Sequence, residues 1–320
     1  MPDKIVFTDS RTLNPGDLDF ADLHTLGEVK VYDYTAPEDL IDRARTAEIL
    51  ITNKTKITRS VLTELNDLRC ICVAATGFNN VDIDAARERN ISVCNVGGYS
   101  TTAVAQHVFA LMSAVENRVA AHDRSVKNGD WTDCRDFSYT LSPIREFADK
   151  TMGIYGFGRI GQQVAKIANA YGMRVVSVHT HPKRDKGKGA EFVNWKVLLQ
   201  ESDYLTLHAP LKAENEGIIN AEALKEMKKT AVLLNTGRGG LINEDDLAAA
   251  LESGEIRCAA LDVLSQEPPP ADNPLLNAKN CLITPHIAWA SIKARKKLLA
   301  ETIENIKAFQ AGEVRNVVNG

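Results

Sequence analysis

The stretch Thr151-Met152-Gly153-Ile154-Tyr155-Gly156-Phe157-Gly158-Arg159-Ile160-Gly161-Gln162-Gln163-Val164-Ala165 decides how this chain folds. An apolar run of strand character ends at a G-x-G-x-x-G turn, and a helical run, Gln162–Ala170, follows. Glycine-rich turns are common, so the motif alone is weak. Between a strand and a helix it acquires a physical task. Gly156 permits the tight turn, Gly158 lets a pyrophosphate approach the backbone, and Gly161 allows the helix to pack closely on the strand. The exposed amides at the helix start, around Arg159 and Ile160, then face the anionic diphosphate.

Outward from this motif, short apolar runs alternate with helix-like stretches, the pattern of a parallel α/β architecture. The series that Thr151–Tyr155 opens continues with Arg174–His179, Tyr204–His208, Ala231–Asn235, Cys258–Asp262 and Cys281–Thr284. Strands in this number suit a dinucleotide-binding sheet. Before it stand Lys4–Thr8, Val29–Asp33, Ile49–Thr52, Cys70–Ala74 and Ser92–Asn95, with a helix expected over Val81–Arg89. Thr101–Asn117 is a long apolar helical segment between the two series. Ile292–Phe309 is helical by the spacing of Leu298, Leu299, Ile303 and Ile306. Because that helix follows the last strand of the second series, it is expected to return to the first domain. The expected fold is therefore α/β with two doubly wound parallel sheets. Residues 1–100 begin a flavodoxin-like substrate-binding domain, 101–290 form an inserted NAD(P)-binding Rossmann domain, and 291–320 return to the first.

The chain has 320 residues, more than one core usually organises. Its formal net charge of -4 gives no attraction to nucleic acid or to an acidic membrane. No apolar run reaches the ~20 residues of a bilayer-spanning helix, and the amino terminus lacks a signal-like pattern. A cytoplasmic protein is expected. Of the six cysteines, Cys70, Cys72, Cys94, Cys258 and Cys281 fall in or beside apolar runs, where a thiol behaves as a small hydrophobe. Their spacing does not match zinc ligation, and no metal is expected.

Three polar residues stand just beyond strands of the second series, where open α/β sheets bind ligands: Arg238, Glu267 and His286. Singly, each has a plain structural explanation. Together, beside a phosphate loop, they form a set that carbonyl reduction requires. Arginine recognises a carboxylate and polarises a carbonyl, because its forked donors stay charged. Histidine exchanges a proton near neutral pH. A neighbouring glutamate orients the imidazole and favours its protonated form.

Four ordered motifs, Gly156–Gly161, Asn235-Thr236-Gly237-Arg238-Gly239-Gly240, Leu261-Asp262-Val263 with Glu267-Pro268, and Thr284-Pro285-His286-Ile287, resemble the D-isomer-specific 2-hydroxyacid dehydrogenase family. The likeness spans nearly the whole chain, including Ala75-Thr76-Gly77-Phe78-Asn79-Asn80-Val81-Asp82. It implies that Arg238 binds the substrate carboxylate and carbonyl, that His286 is the acid/base, and that Glu267 pairs with it. It implies that Ala75, Thr76 and Gly77 bind the carboxylate through backbone amides. Asp262 would contact the nicotinamide carboxamide, while Ala209-Pro210 and Thr236-Gly237 would line the cofactor. It also implies a homodimer. Within the family, Ile51-Thr52-Asn53-Lys54, Gln106-His107 and Pro285-His286-Ile287-Ala288-Trp289-Ala290 are most similar to the glycerate dehydrogenases, or hydroxypyruvate reductases. Asn53 and Trp289 are then candidates for shaping the substrate pocket, and hydroxypyruvate or glyoxylate is the expected substrate.

One position departs from the family. The residue that reads the adenosine ribose, usually acidic where NAD is preferred, falls ~20 positions after the glycines. Here His179 stands there, followed by Thr180, His181, Pro182, Lys183 and Arg184. The cofactor is therefore NAD or NADP. Formate dehydrogenases share the architecture, but resemblance to them calls for glutamine where Glu267 stands. A NAD(H)-sensing corepressor keeps the same triad and adds recruitment tails. With no such segment evident after Phe309, the enzyme is the favoured expectation.

Overall fold

The computed structural model describes residues 2–179 and 181–320. They form two compact units, one taking the residues up to Ser100 together with those from Ala290 on, the other Thr101–Trp289.

The first unit holds a sheet of β1 (Lys4–Phe7), β2 (Glu28–Val31), β3 (Ile49–Thr52), β4 (Cys70–Val73) and β5 (Ser92–Cys94). Its order is β2-β1-β3-β4-β5, with every pairing parallel. All four residues of β3 and of β4 are buried. Strands covered on both faces need apolar residues at successive positions, which is why they read as continuous runs rather than alternations. The helix expected over Val81–Arg89 is shorter, Ile83–Glu88. Asp82 is its cap, its Oδ1 accepting the Ala85 amide at 2.8 Å, and a cap fixes the start of a helix for about 1 kcal/mol. The closing helix, Ile292–Gln310, packs on β4 of the same unit. Arg295, only 6% exposed on that helix, is tied to both Asp17 oxygens at 2.6 Å.

The second unit holds β6 (Thr151–Tyr155), β7 (Arg174–Val178), β8 (Glu191–Phe192), β9 (Tyr204–Leu207), β10 (Val232–Asn235), β11 (Cys258–Leu261) and β12 (Cys281–Ile283). The order is β12-β11-β10-β9-β6-β7-β8, again parallel throughout. Six of these strands are legible as apolar runs. The seventh, β8, is two residues long at the sheet edge and leaves no hydrophobic signature. The chain runs outward through β7 and β8, then crosses back to β9, so β6 and β9 are neighbours whose connections leave in opposite directions. Such a switch point opens a crevice at the carboxyl ends of the strands.

The helices Thr101–Asn117 and Arg159–Ala170 pack together over one face of this sheet, burying Val108, Phe109 and Met112 with Val164, Ala165 and Ala168. The six cysteines are free thiols. No described helix is long and apolar enough to cross a membrane.

Candidate active site

The glycine turn sits at the switch point, between β6 and the helix Arg159–Ala170. Gly156 has φ +99°, a left-handed conformation that disfavours side chains, and a Cβ there would meet the Ala209 amide nitrogen at 2.4 Å. A Cβ on Gly161 would lie 2.3 Å from the Gly156 carbonyl oxygen. Gly158 differs, because a Cβ there would meet nothing within 4 Å. Two of the glycines are therefore required by the protein's own packing, while the third faces open space. That space belongs to a cavity of about 520 Å³ lined by Gly156–Gly158, Val178, His179, His181, Arg184, His208, Ala209 and Pro210, among others.

Two polar atoms nearby are buried without a partner: His208 Nδ1 at the end of β9 and Thr236 Oγ1 at the end of β10. An orphaned buried polar atom in a native site asks for a ligand or a water. A polyanion with two ribose groups supplies such partners, so the residues present fit a dinucleotide. Burial also pushes the His208 imidazole down to about 3, which keeps the ring neutral.

At the end of β7 the ring of His179 is packed against Phe157 and Phe192, at centroid distances of 5.9 and 4.9 Å. Both its nitrogens are engaged, Nε2 with Asp185 Oδ2 at 2.7 Å and Nδ1 accepting the His181 amide at 2.7 Å. Thr180 lies outside the described residues. Ala209 and Pro210 line the cavity, while Arg159 and Ile160 open the helix beyond Gly158.

Arg238 follows β10 across a turn that Asn235 folds. The Asn235 side chain accepts the Gly237 amide at 3.0 Å and donates to the Arg238 carbonyl at 2.8 Å. The Arg238 guanidinium is half-buried and donates from Nη1 to the Gly237 carbonyl at 2.8 Å. Next to it, a Cβ on Gly239 would lie 1.9 Å from the Leu264 carbonyl carbon. The Arg238 turn therefore packs directly on the segment that leads to Glu267.

His286 and Glu267 are in contact, Nδ1 to Oε2 at 2.6 Å. Glu267 Oε1 also accepts the Leu264 amide at 3.2 Å. The His286 backbone has φ +54°, a left-handed conformation that costs a non-glycine residue about 1–3 kcal/mol. Asp262 holds it there. Its carbonyl accepts the His286 amide at 2.9 Å, and its carboxylate accepts the amides of Ile287 and Ala288 at 2.9 and 2.8 Å. Thr284 Oγ1 donates to the same carboxylate at 2.6 Å, and His107 Nε2 lies 3.4 Å away. Burial pushes the Asp262 carboxyl up, but the hydrogen bonds from His107, Thr284 and the two amides outweigh it and hold the group below the usual carboxylate range.

In the first unit, Asn53 is buried and joins the ends of β3 and β4 to the short helical turn Ser10–Thr12. Its Nδ2 donates to the Ala74 carbonyl at 2.6 Å, and its Oδ1 accepts from Thr12 at 3.2 Å. The turn that follows hangs on Asp9, whose carboxylate accepts the amides of Asn53, Lys54 and Thr55. Ala75 closes a tight turn by donating its amide to the Val73 carbonyl at 2.8 Å. Thr76 Oγ1 donates to the Val96 carbonyl at 2.9 Å, and the Thr76 carbonyl accepts from Asn95. Gly77 follows, part-exposed.

Two of the residues that shape these turns, Asp9 and Asp185, carry no motif of their own in the sequence. The signal that could have found the first is positional: an acid just beyond an apolar strand, in reach of the turn after the next one.

Residues 109–288 match the family model described as D-isomer specific 2-hydroxyacid dehydrogenase, NAD binding domain. The chain is 43% identical over 320 residues to a hydroxypyruvate reductase of Blautia hydrogenotrophica, covering 99% of each. It is 39% identical over 321 residues to a glycerate dehydrogenase of Methylorubrum extorquens, again covering 99% of each. Among solved structures it resembles an acyclic imino acid reductase in complex with NADPH and D-Arg, with TM-score 0.86 and 34% identity, covering 98% of this chain and 99% of that one.

Proposed function

The chain belongs to the D-isomer specific 2-hydroxyacid dehydrogenase family, and from that premise we propose that its substrate is hydroxypyruvate, reduced to D-glycerate, with glyoxylate reduced to glycolate at the same site. It is an oxidoreductase that transfers a hydride between a nicotinamide dinucleotide and a small 2-keto or D-2-hydroxy acid. Support for the particular substrate is the full-length likeness to a hydroxypyruvate reductase and a glycerate dehydrogenase.

The observation that carries the catalytic reading is the His286–Glu267 hydrogen bond, made on a turn whose backbone Asp262 fastens. With Nδ1–H given to the carboxylate, Nε2 is the nitrogen left to serve the substrate. When bound, the reduced nicotinamide supplies the hydride. His286 supplies the proton from Nε2 to the carbonyl oxygen, and Glu267 stabilises the protonated ring from the other side. Arg238 binds the substrate carboxylate with its fixed fork of donors and polarises the carbonyl. In the first unit, Asn53 and the amides of the Ala75-Thr76-Gly77 turn are the further substrate contacts. The glycine loop, Ala209, Pro210, Thr236 and Gly237 hold the cofactor.

Steady-state rates with hydroxypyruvate, glyoxylate, pyruvate and phenylpyruvate, each with both reduced cofactors, test the assignment. Highest kcat/KM on hydroxypyruvate is the expected result, and a preference for phenylpyruvate overturns it. Cofactor binding without turnover of any keto acid favours a cofactor-sensing corepressor instead.

The protein works in the cytoplasm as a homodimer. Its free thiols and the exposed apolar residues Val119, Trp131, Phe137 and Ile144 of the second unit support that reading. Light scattering on the purified chain checks the assembly, and a monomer at micromolar concentration rejects it.

A further inference from the structure

The basic segment after β7 conceals a carboxylate. Asp185 is 1% exposed, although four of its near neighbours, Lys183, Arg184, Lys186 and Lys188, are exposed cations. Its Oδ2 accepts from His179 Nε2 at 2.7 Å and from Arg184 Nε and Nη2 at 3.0 and 2.6 Å. Its Oδ1 accepts from Lys188 Nζ at 2.7 Å. The arginine and lysine hold the carboxyl well below its ordinary range, so it is ionised at any working pH.

These bonds decide what the segment can offer a ribose. A carboxylate that chelates the two ribose hydroxyls needs free lone pairs and a position at the cavity wall. Asp185 has neither, because it is buried and its oxygens point at cations. His179 cannot replace it, since one nitrogen donates to Asp185 and the other accepts the His181 amide. His181 and Arg184, among the described residues of this segment, also line the cavity beside Gly156–Gly158. Among the described residues lining the same cavity, the carboxylate of Glu214 is paired with Lys212 at 3.2 Å. Within the cluster, one carboxylate opposes two permanent cations and leaves an excess of one positive charge.

We propose that this wall is a binding site for the adenosine 2′-phosphate, and that Asp185 is its positioning residue, fixing the Arg184 guanidinium at the cavity edge and keeping its own charge out of the ligand's reach. The inference rests on the glycine loop being the dinucleotide site. Arg184 is 64% exposed on its side chain, so without the anchor it would move freely in solvent. Holding it by two nitrogens on Asp185 leaves Nη1 for a phosphate oxygen and removes the entropy cost of ordering a long side chain at the moment of binding. The arrangement favours NADP(H) over NAD(H), because the carboxylates described at this wall, Asp185 and Glu214, are each paired with a cation rather than turned on the ligand.

Calorimetric titration with 2′,5′-ADP and 5′-AMP tests this without turnover. The unaltered protein is expected to bind 2′,5′-ADP about tenfold tighter than 5′-AMP or better. Asp185→Asn should reduce that ratio to about threefold or less while moving the 5′-AMP affinity by less than about threefold. Arg184→Ala, at a position whose side chain is 64% exposed, should do the same, and it keeps the test decisive if Asp185→Asn does not fold. Equal binding of both ligands by the unaltered protein overturns the phosphate site. A preference that survives in both variants overturns the roles of Arg184 and Asp185. Equal weakening of both ligands in Asp185→Asn, with the preference intact in Arg184→Ala, shows that Asp185 only supports the loop and overturns its positioning role. Failure of the unaltered protein to bind either ligand rejects the parent reading of the glycine loop, an outcome distinct from the others.

Discussion

Asp262 and His286 are joined backbone to backbone and side chain to turn: the Asp262 carbonyl accepts the His286 amide at 2.9 Å, and its carboxylate accepts the next two amides, of Ile287 and Ala288. The left-handed conformation of His286 is thereby held by the strand that precedes Glu267. One residue at the end of β11 thus sets the direction of the imidazole, while another a few positions later, Glu267, binds its Nδ1.

The histidine pair fixes two expectations. His286→Ala should lower turnover about 10²–10⁴-fold, with dinucleotide affinity unchanged within about threefold. Glu267→Gln keeps a hydrogen-bond partner for Nδ1 but removes the charge beside the imidazole, and turnover should fall about tenfold to a hundredfold with dinucleotide affinity unchanged within about threefold. Steady-state kinetics and equilibrium titration measure both, and a variant as active as the parent excludes Glu267 from the chemistry.

The glycine loop separates packing from binding. Gly161→Ala places a methyl group 2.3 Å from a backbone carbonyl, and overpacking of this kind costs about 1–3 kcal/mol. Gly158→Ala meets no protein atom within 4 Å, and its φ of -76° suits alanine. The second variant should therefore melt within about 2 °C of the parent yet bind dinucleotide about tenfold or more weakly. Melting curves and equilibrium titration on both variants check the contrast. Full affinity in Gly158→Ala would place the diphosphate elsewhere.

Acid stability should report His208. Unfolded, its ring takes a proton near 6.5; folded, burial defers that to about 3. The unfolded chain therefore binds more protons between these values. Stability contributed by the neutral ring is complete above pH 6.5 and declines as pH falls toward 3, by at most about 1.4 kcal/mol per pH unit. The depressed carboxyls of Asp185 and Asp262 lose their contribution only below about pH 4, outside most of this window. His208→Gln should make the melting temperature less pH-dependent between pH 6.5 and 4.5. Parallel curves for parent and variant contradict the assignment.

Arg238→Lys keeps the charge and discards the fork. Loss of a bidentate, charge-assisted contact should reduce kcat/KM for hydroxypyruvate about tenfold to a hundredfold, leaving cofactor affinity intact. Single-substrate kinetics at saturating cofactor measure it. A lysine variant as active as the parent would remove Arg238 from carboxylate recognition.

Much of the architecture was legible because parallel strands buried on both faces must be apolar at every position, as Ile49–Thr52 and Cys70–Val73 are. The edge strand Glu191–Phe192 was not, since a two-residue strand buries too little to impose a pattern. Arg238, Glu267 and His286 could be picked out because each stands where a strand of the second sheet ends. The roles of Asp9 and Asp185 could not. Asp9 reaches the amides of Asn53–Thr55 from more than forty positions away, across the pairing of β1 with β3.

By itself the sequence determined the strand–turn–helix at Gly156–Gly161, the parallel character of both sheets and the identity of the polar residues beyond their ends. All of these follow from local periodicity and from the backbone freedom of glycine. Only the tertiary structure decided which of those residues meet, and in what state. It turned Asp185 inward against three basic side chains, left His208 Nδ1 without a partner, and bent the backbone at His286 so that Nδ1 reaches Glu267. The physical reason is that charge pairing and burial depend on which chain segments the sheet order brings side by side, and that order is not encoded in any short stretch of the chain.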